Sequence, residues 1–189
     1  MEQLIAYVEQ FGQLTAAQKG LVLAGVEEQT IPKGNYFVES GKISASIGFV
    51  YDGIFRSCYY NKQGDSFTRY FIYEGRFVGD INGFLDRTPS SEYIEAITDA
   101  KLWVISREYF ALLESQIPAW AQLLARLNSS VLENKMRAVS NMLTQDAQTR
   151  YLNFLEHYPG LANRVPQSML ASYLGITPSS LSRIRKNIT

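Results

Sequence analysis

The chain has a single cysteine, Cys58, and a single histidine, His157, among 189 residues. One thiol excludes an intramolecular disulfide and cannot by itself hold an iron–sulfur cluster or a zinc ion. One imidazole rules out the usual multi-histidine metal sites. No apolar run is long enough to span a bilayer, and the opening MEQLIAYVEQ lacks the basic-then-apolar form of a signal peptide. A cytoplasmic protein without membrane contact is expected. Neither sign of charge dominates, with 18 Lys and Arg against 18 Asp and Glu. Low-complexity segments and internal repeats are missing as well. No nucleophile–base pair stands out, and a cupin-like barrel site would want two or three histidines, whereas His157 lies outside the strand-like region. Neither catalytic residues, a metal nor a cofactor is therefore expected.

What is present is ample core-forming material. Hydrophobic residues make up 46% of a chain long enough for one large domain or two small ones. The most informative stretch is 165–189, VPQSMLASYLGITPSSLSRIRKNIT. Met169, Leu170, Tyr173 and Leu174 recur at helical spacing, so a short helix is expected over 167–174. Gly175 then offers the positive φ of a helix stop. Thr177 is placed as the N-cap of a second helix, with Pro178 at its first position, where a missing N–H costs nothing. In that helix Leu181 and Ile184 point inward, and Ser179, Ser180, Ser182, Arg183, Arg185 and Lys186 are expected outside. Small Ala171 lies where the helices would cross. The pattern is a helix-turn-helix, and the second helix suits a DNA groove.

Charge supports that reading locally. From His157 to the end the sequence holds Arg164, Arg183, Arg185 and Lys186 and no acidic residue. Phosphates attract such a patch in a salt-dependent way. Hydroxyls of Ser179, Ser180 and Ser182 can bond phosphate or base edges, and Arg183 can reach guanine with two donors. Gln167, Ser168 and Thr177 complete the expected DNA-facing set. The plainer alternative is an amphipathic helical hairpin that only packs on the rest of the chain.

Upstream, two short helices are expected, the second introduced by the capping-box spacing of Thr15 and Gln18. Over 30–106 the text turns strand-like. Apolar and aromatic segments alternate with turn signals such as Pro32-Lys33-Gly34, Ser40-Gly41-Lys42, Asp52-Gly53 and Glu74-Gly75, which suits a β-sandwich or barrel. Most of the 12 Tyr and 10 Phe are accounted for by strand propensity and core filling. The passage 75–91 interrupts the strands. Its short helical turn at 80–85, after Gly79, would expose backbone N–H groups to an anion.

Ser106 is expected to cap a short helix, and a long helix follows over 118–143. Trp120, Leu124, Leu127 and Val131 form one apolar stripe at heptad-like spacing. Leu132, Met136, Val139 and Leu143 form another, rotated by one residue. The first stripe is assigned to the same helix of a second subunit and the second to the C-terminal region. Burial of one broad face inside a monomer is the alternative. Thr144 breaks the pattern, and Asp146 caps a helix over 147–157.

A glycine-punctuated β-roll, a long dimer helix and a helix-turn-helix occur in this order in the Crp/Fnr family of bacterial transcription regulators, which the chain resembles over nearly its whole length. Pro166-Gln167, Leu170-Ala171-Ser172-Tyr173-Leu174-Gly175-Ile176-Thr177-Pro178 and Leu181-Ser182-Arg183-Ile184-Arg185-Lys186 are similar to that family's DNA-binding signature. Gly34, Gly41, Gly53, Gly64, Gly75 and Gly79 fall where cyclic-nucleotide-binding domains keep their turns. The resemblance implies an α+β protein. Its parts would be a jelly-roll-like double-stranded β-helix sensor domain over 1–117, a dimerisation helix over 118–143 and a helix-turn-helix domain over 144–189. It also implies a homodimer on a palindromic DNA site and a small-molecule effector held near Gly79, Asp80, Ile81, Ser90 and Ser91.

The effector segment departs from the family's pattern. Nucleotide binders place a Gly-Glu pair, a short helix and then an Arg directly after a Pro. Here the pair is Gly79-Asp80, and Pro89 leads into Ser90-Ser91-Glu92. Leaving a buried phosphate without its charge-assisted pair costs on the order of 3–5 kcal/mol. An effector other than cyclic AMP is expected, unless Arg69 or Arg87 takes the missing place. Many family members also flank the helix-turn-helix with a β-hairpin wing, whereas only 161–165 separates the helices here. The rival function is a ligand-sensing or dimerisation module whose terminal helices contact protein.

Overall fold

The computed structural model describes residues 1–188. In chain order it contains α1 (Glu2–Val8), α2 (Ala16–Ala24), β1 (Val26–Ile31), β2 (Tyr36–Val38), β3 (Ser46–Asp52), β4 (Phe55–Tyr60), β5 (Ser66–Ile72) and β6 (Arg76–Val78). There follow α3 (Ile81–Asp86), β7 (Tyr93–Ala96), β8 (Ala100–Ser106), α4 (Arg107–Gln116), α5 (Trp120–Thr144), α6 (Ala147–His157), a 3-10 turn (Leu161–Asn163), α7 (Gln167–Tyr173) and α8 (Pro178–Ile188). The chain divides into two compact units. The first holds 1–58 and 71–131, the second 59–70 and 132–188.

Two four-stranded sheets form the β-roll, in the orders β1–β8–β3–β6 and β2–β7–β4–β5. The pairings described are antiparallel, with Phe49 opposite Trp103 in one sheet and Arg56 opposite Glu95 in the other. Strand β3 is buried on both faces, so its sequence reads as a continuous apolar run rather than an alternating one. Ile47 and Phe49 face the helical side, where they join Leu4, Val8, Trp103, Phe110, Trp120 and Leu123 in one cluster. Between them Gly48 faces the other way. A Cβ there would lie 2.9 Å from Val78 and 3.3 Å from Phe37, which shows how tightly the roll is filled.

Local chemistry sets the helix starts. Thr15 and Gln18 form the reciprocal capping box, Ser106 accepts from the N–H of Tyr109, and Asp146 accepts from that of Thr149. Arg107 fixes α4 by donating to the carbonyls of Phe84 and Ser44. Strand β1 begins at Val26, earlier than the expected strand-like region over 30–106, because its Glu-Glu-Gln-Thr run is exposed and carries no alternation to read.

The long helix requires a correction. Of the stripe assigned to a second subunit, Trp120 and Leu127 are each 3% exposed inside the first unit, and Leu124 and Val131 are half-buried, so half of that stripe is already covered by its own chain. The stripe assigned to the C-terminal region is the uncovered one: Leu132 is 60%, Met136 57%, Val139 51% and Leu143 82% exposed. Spacing identified both stripes but not what each one meets, since that depends on which turn of the helix reaches the sheet.

Gly53 has φ 103°, and a Cβ on it would fall 2.6 Å from the carbonyl oxygen of Asp99 and 2.7 Å from Ala100 Cα. The obstacles are backbone atoms that cannot step aside. Gly53→Ala should therefore lower unfolding stability by about 2–4 kcal/mol, seen in urea titration as a lower midpoint at constant slope.

Candidate nucleic-acid interface and effector pocket

The second unit builds its C-terminal end around Leu170, Ala171, Leu174 and Leu181, each at most 2% exposed. Helix α7 closes with the N–H of Ile176 donating to Ala171 O at 3.0 Å and that of Gly175 to Ser172 O at 3.1 Å. Gly175 takes φ 67°, the left-handed residue this double closure requires. Thr177 Oγ1 then accepts from the N–H of Ser180 at 3.2 Å and opens α8. Gln167 Nε2 donates to Pro178 O at 2.9 Å and ties the start of α7 to that of α8. Two short helices at a fixed angle result.

On α8 Ser179, Ser182, Arg183 and Lys186 are exposed. These positions share one face at 3.6 residues per turn, opposite Leu181. Ser168, at the start of α7, is exposed too. Three hydroxyls cluster at the turn, because Thr177 Oγ1 lies 2.9 Å from both Ser179 Oγ and Ser180 Oγ. Of the expected outer set Ser180 is half-buried, and so is Arg185. Its Nε donates to Tyr151 OH at 3.1 Å and its Nη2 to Ala162 O at 3.2 Å, and the guanidinium lies 5.7 Å from the centre of the Tyr151 ring. Standing four residues after buried Leu181, Arg185 belongs to the inner face. Its side chain holds α8 against α6 and the 3-10 turn. That spacing was available in the sequence and was outweighed by the residue's charge.

Within the same unit the 59–70 hairpin tip meets α7 and α5. The N–H of Thr68 donates to Ser172 Oγ at 3.0 Å, and Lys135 Nζ lies 4.4 Å from the centre of the Tyr70 ring. Burial pushes the Tyr173 hydroxyl above the ordinary phenol range, with neighbouring Tyr158 adding to the shift.

The candidate effector segment lies in the first unit. Gly79 has φ 148°, and Asp80 spends its carboxylate as the N-cap of α3, where Oδ1 accepts from the N–H of Gly83 at 3.0 Å. Ile81 is half-buried and Ser91 exposed. Ser90 is buried, with its hydroxyl donating to the backbone carbonyl of Glu92 at 3.1 Å. Glu92 is itself buried, and its carboxylate accepts from the Ser57 hydroxyl. The chain thus inserts a carboxylate of its own in the segment where nucleotide binders carry an arginine. Arg69 and Arg87 are both exposed. The buried cation is Arg56, which sequence reading missed. It contacts Glu95 through Nε at 2.8 Å and Nη2 at 2.7 Å. Its signal was faint: an arginine inside a run of strand-forming residues, with its partner far off in sequence.

Among the described residues no cluster of His, Cys, Asp or Glu could hold a metal ion, and no helix is long and apolar enough to cross a membrane. Residues 28–117 match the family model of the cyclic nucleotide-binding domain. Solved structures share the fold. FixK2 from Bradyrhizobium japonicum is similar with a TM-score of 0.74 at 17% identity, covering 86% of this chain and 84% of its own. The c-di-GMP-responsive global regulator CLP of Xanthomonas campestris gives 0.70 at 18% identity over 92% and 91%. The catabolite activator protein of Thermus thermophilus gives 0.60 at 22% identity over 94% and 85%. At such identities the likeness establishes the fold: a cyclic nucleotide-binding domain followed by C-terminal helices in the Crp/Fnr arrangement. No curated protein matches the sequence.

The cap at Asp146 gives a pH test. Hydrogen bonds from Thr149, backbone first, hold this carboxyl below its ordinary value. A depressed pKa contributes stability above the unfolded value, near 3.9, and loses it as pH falls through the folded value. The stability advantage of the natural chain over Asp146→Ala should be constant near neutrality. It should shrink below about pH 4 in denaturant titrations run as a pH series.

Proposed function

We propose that this chain, with its cyclic nucleotide-binding domain and Crp/Fnr fold, is a dimeric DNA-binding transcription regulator. The observation that carries the reading is the outer face of α8. Ser179, Ser182, Arg183 and Lys186 are exposed together, and the helix is fixed from behind by Leu181 and Arg185. No acidic residue follows Glu156, so no side chain of α7 or α8 repels phosphate. Arg183 and Ser179 contact base edges, and Lys186, Ser182 and Ser168 hold phosphates. Gln167, Thr177 and Ser180 act first as the fasteners of the turn, because their side chains are already bonded across it.

Two copies meet through Leu132, Met136, Val139 and Leu143. Their 4-3-4 spacing is that of a coiled-coil seam, and each side chain gains about 1.5–3 kcal/mol when fully covered. A twofold dimer would present its two α8 helices about 34 Å apart to a palindromic site. The β-roll does not take cyclic AMP in the usual manner, because Glu92 is buried against Ser57 in that segment and no arginine directly follows Pro89. No catalytic step is assigned to the protein.

Three measurements test the reading. Sedimentation should give a dimer for the natural chain and a monomer for Met136→Glu. Selection of bound sequences from a random duplex pool should return a palindrome. Arg183→Ala should relax one base pair per half-site at a cost of about 1–3 kcal/mol, whereas Lys186→Ala should weaken all sequences alike and lower the salt slope by about one. Binding to duplex DNA that ignores salt, or a site preference untouched by Arg183→Ala, would refute the assignment.

A further inference from the structure

The second unit contains a cavity of about 100 Å³ between the last turns of α5, helix α6 and the end of α7. It lies on the side of α5 turned away from the Leu132–Met136–Val139–Leu143 stripe. Asn134, Ala138, Asn141 and Gln145 line it at spacings of four, three and four. Its floor is apolar, with Phe154 at 3% and Leu174 at 2% exposed. Its walls hold two guanidinium groups, Arg137 and Arg150, and none of the lining residues is acidic.

Arg150 marks the inner end. Its Nη1 donates to the carbonyls of Met142 and Gln145, both at 3.1 Å, which pins the guanidinium against the end of α5. Its Nε is buried and has no partner among the described residues. A buried donor on a cation, left unbonded beside a cavity, is costly unless something accepts from it. The neighbouring amides are prearranged: Asn153 Nδ2 donates to Gln145 Oε1 at 2.9 Å, and Gln145 Nε2 to Asn141 Oδ1 at 3.3 Å. This chain of bonds leaves the Asn141 amide nitrogen as a further donor. Arg137, at the outer end, is engaged among the described residues by Glu133 alone, across one exposed helical turn at 3.0 Å. Such pairs contribute little, so its fork is available.

We propose that this cavity binds a small organic carboxylate. Two planar guanidinium forks and an amide donor match a carboxylate, and the Phe154–Leu174 floor accepts a short aliphatic remainder. Inorganic phosphate would leave that floor uncovered. The volume admits about four to six non-hydrogen atoms, judged against a 150 Å³ cavity that holds benzene. Gln145 at the end of α5 and Arg150 and Asn153 on α6 line the cavity from both sides of the α5–α6 joint, so its occupancy sets the direction in which α6 leaves α5. On the regulator reading above, on which this consequence rests, that joint aims α8, and the carboxylate becomes an effector held outside the β-roll.

Isothermal titration of the whole chain with acetate, butanoate and 2-hydroxypropanoate tests the site, with propanamide and inorganic phosphate as comparators. At least one carboxylate should bind saturably at one per chain and at least tenfold tighter than the amide. Arg137→Gln and Asn141→Ala should each weaken it by about tenfold, the effect of losing one charge-assisted or amide bond. Arg137 is exposed and Asn141 half-buried, with the Gln145 amide bonded to it, so Arg137→Gln should keep the parental melting temperature and Asn141→Ala should lower it by a few degrees at most. The proposal is overturned by the absence of saturable uptake up to about 10 mM, by uptake indifferent to both substitutions, or by phosphate binding tighter than every carboxylate. Fluorescence anisotropy with the selected duplex tests the coupling. Saturating carboxylate should change DNA affinity at least threefold in the natural chain and not in Arg137→Gln. DNA binding that ignores the carboxylate removes the effector role and leaves the site. No DNA binding at all removes the regulator reading, and the titration still decides the cavity.

Discussion

Burial on both faces of β3 and β8, the centre of the β1–β8–β3–β6 sheet, is the constraint on which the rest depends. Phe49 and Trp103 stack on its outer side with ring centroids 6.1 Å apart, and helices must cover them. Leu4, Val8, Phe110, Trp120 and Leu123 do so. The opening turns of α5 are thereby committed to the first unit, which explains why Leu127 is buried and Leu132 is not. Every feature assigned a role in regulation lies on what remains of that helix or after it. The uncovered stripe is on one side and the amide-lined cavity on the other.

Much of this was legible beforehand because it depends on short-range chemistry. The caps at Thr15, Ser106, Asp146 and Thr177 lie where hydroxyl and carboxylate residues precede apolar periodicity, and the structure places hydrogen bonds at each. Gly175 needed only its own neighbours to be identified as a helix stop. What the sequence concealed was long-range. Arg56 finds Glu95 across the sheet, and Ser57 finds Glu92, in pairings that no local spacing announces. The two stripes of α5 show the same limit, since periodicity identifies a face without naming its partner. Arg185 was misplaced for a different reason: its charge suggested the outside, while its distance from Leu181 put it inside.

The molecule also keeps its charges in separate places. Acidic residues cap helices and enter the β-roll, with Glu92 and Glu95 paired to Ser57 and Arg56 there. Cations at the C-terminal end are either spent internally, as Arg185 is, or left on the surface, as Arg183 and Lys186 are. Overall neutrality therefore says nothing about local potential, and the balance of 18 against 18 conceals a segment with no negative charge after Glu156.

The bare stripe on α5 has a consequence for gene dosage. If Leu132, Met136, Val139 and Leu143 are covered only by another copy, the paired fraction obeys mass action and grows faster than the number of chains made. Cellular abundance then becomes an input in its own right. A scarce product would stay as single, inactive copies, and a modest rise in synthesis would bring a sharp onset of occupancy at its targets.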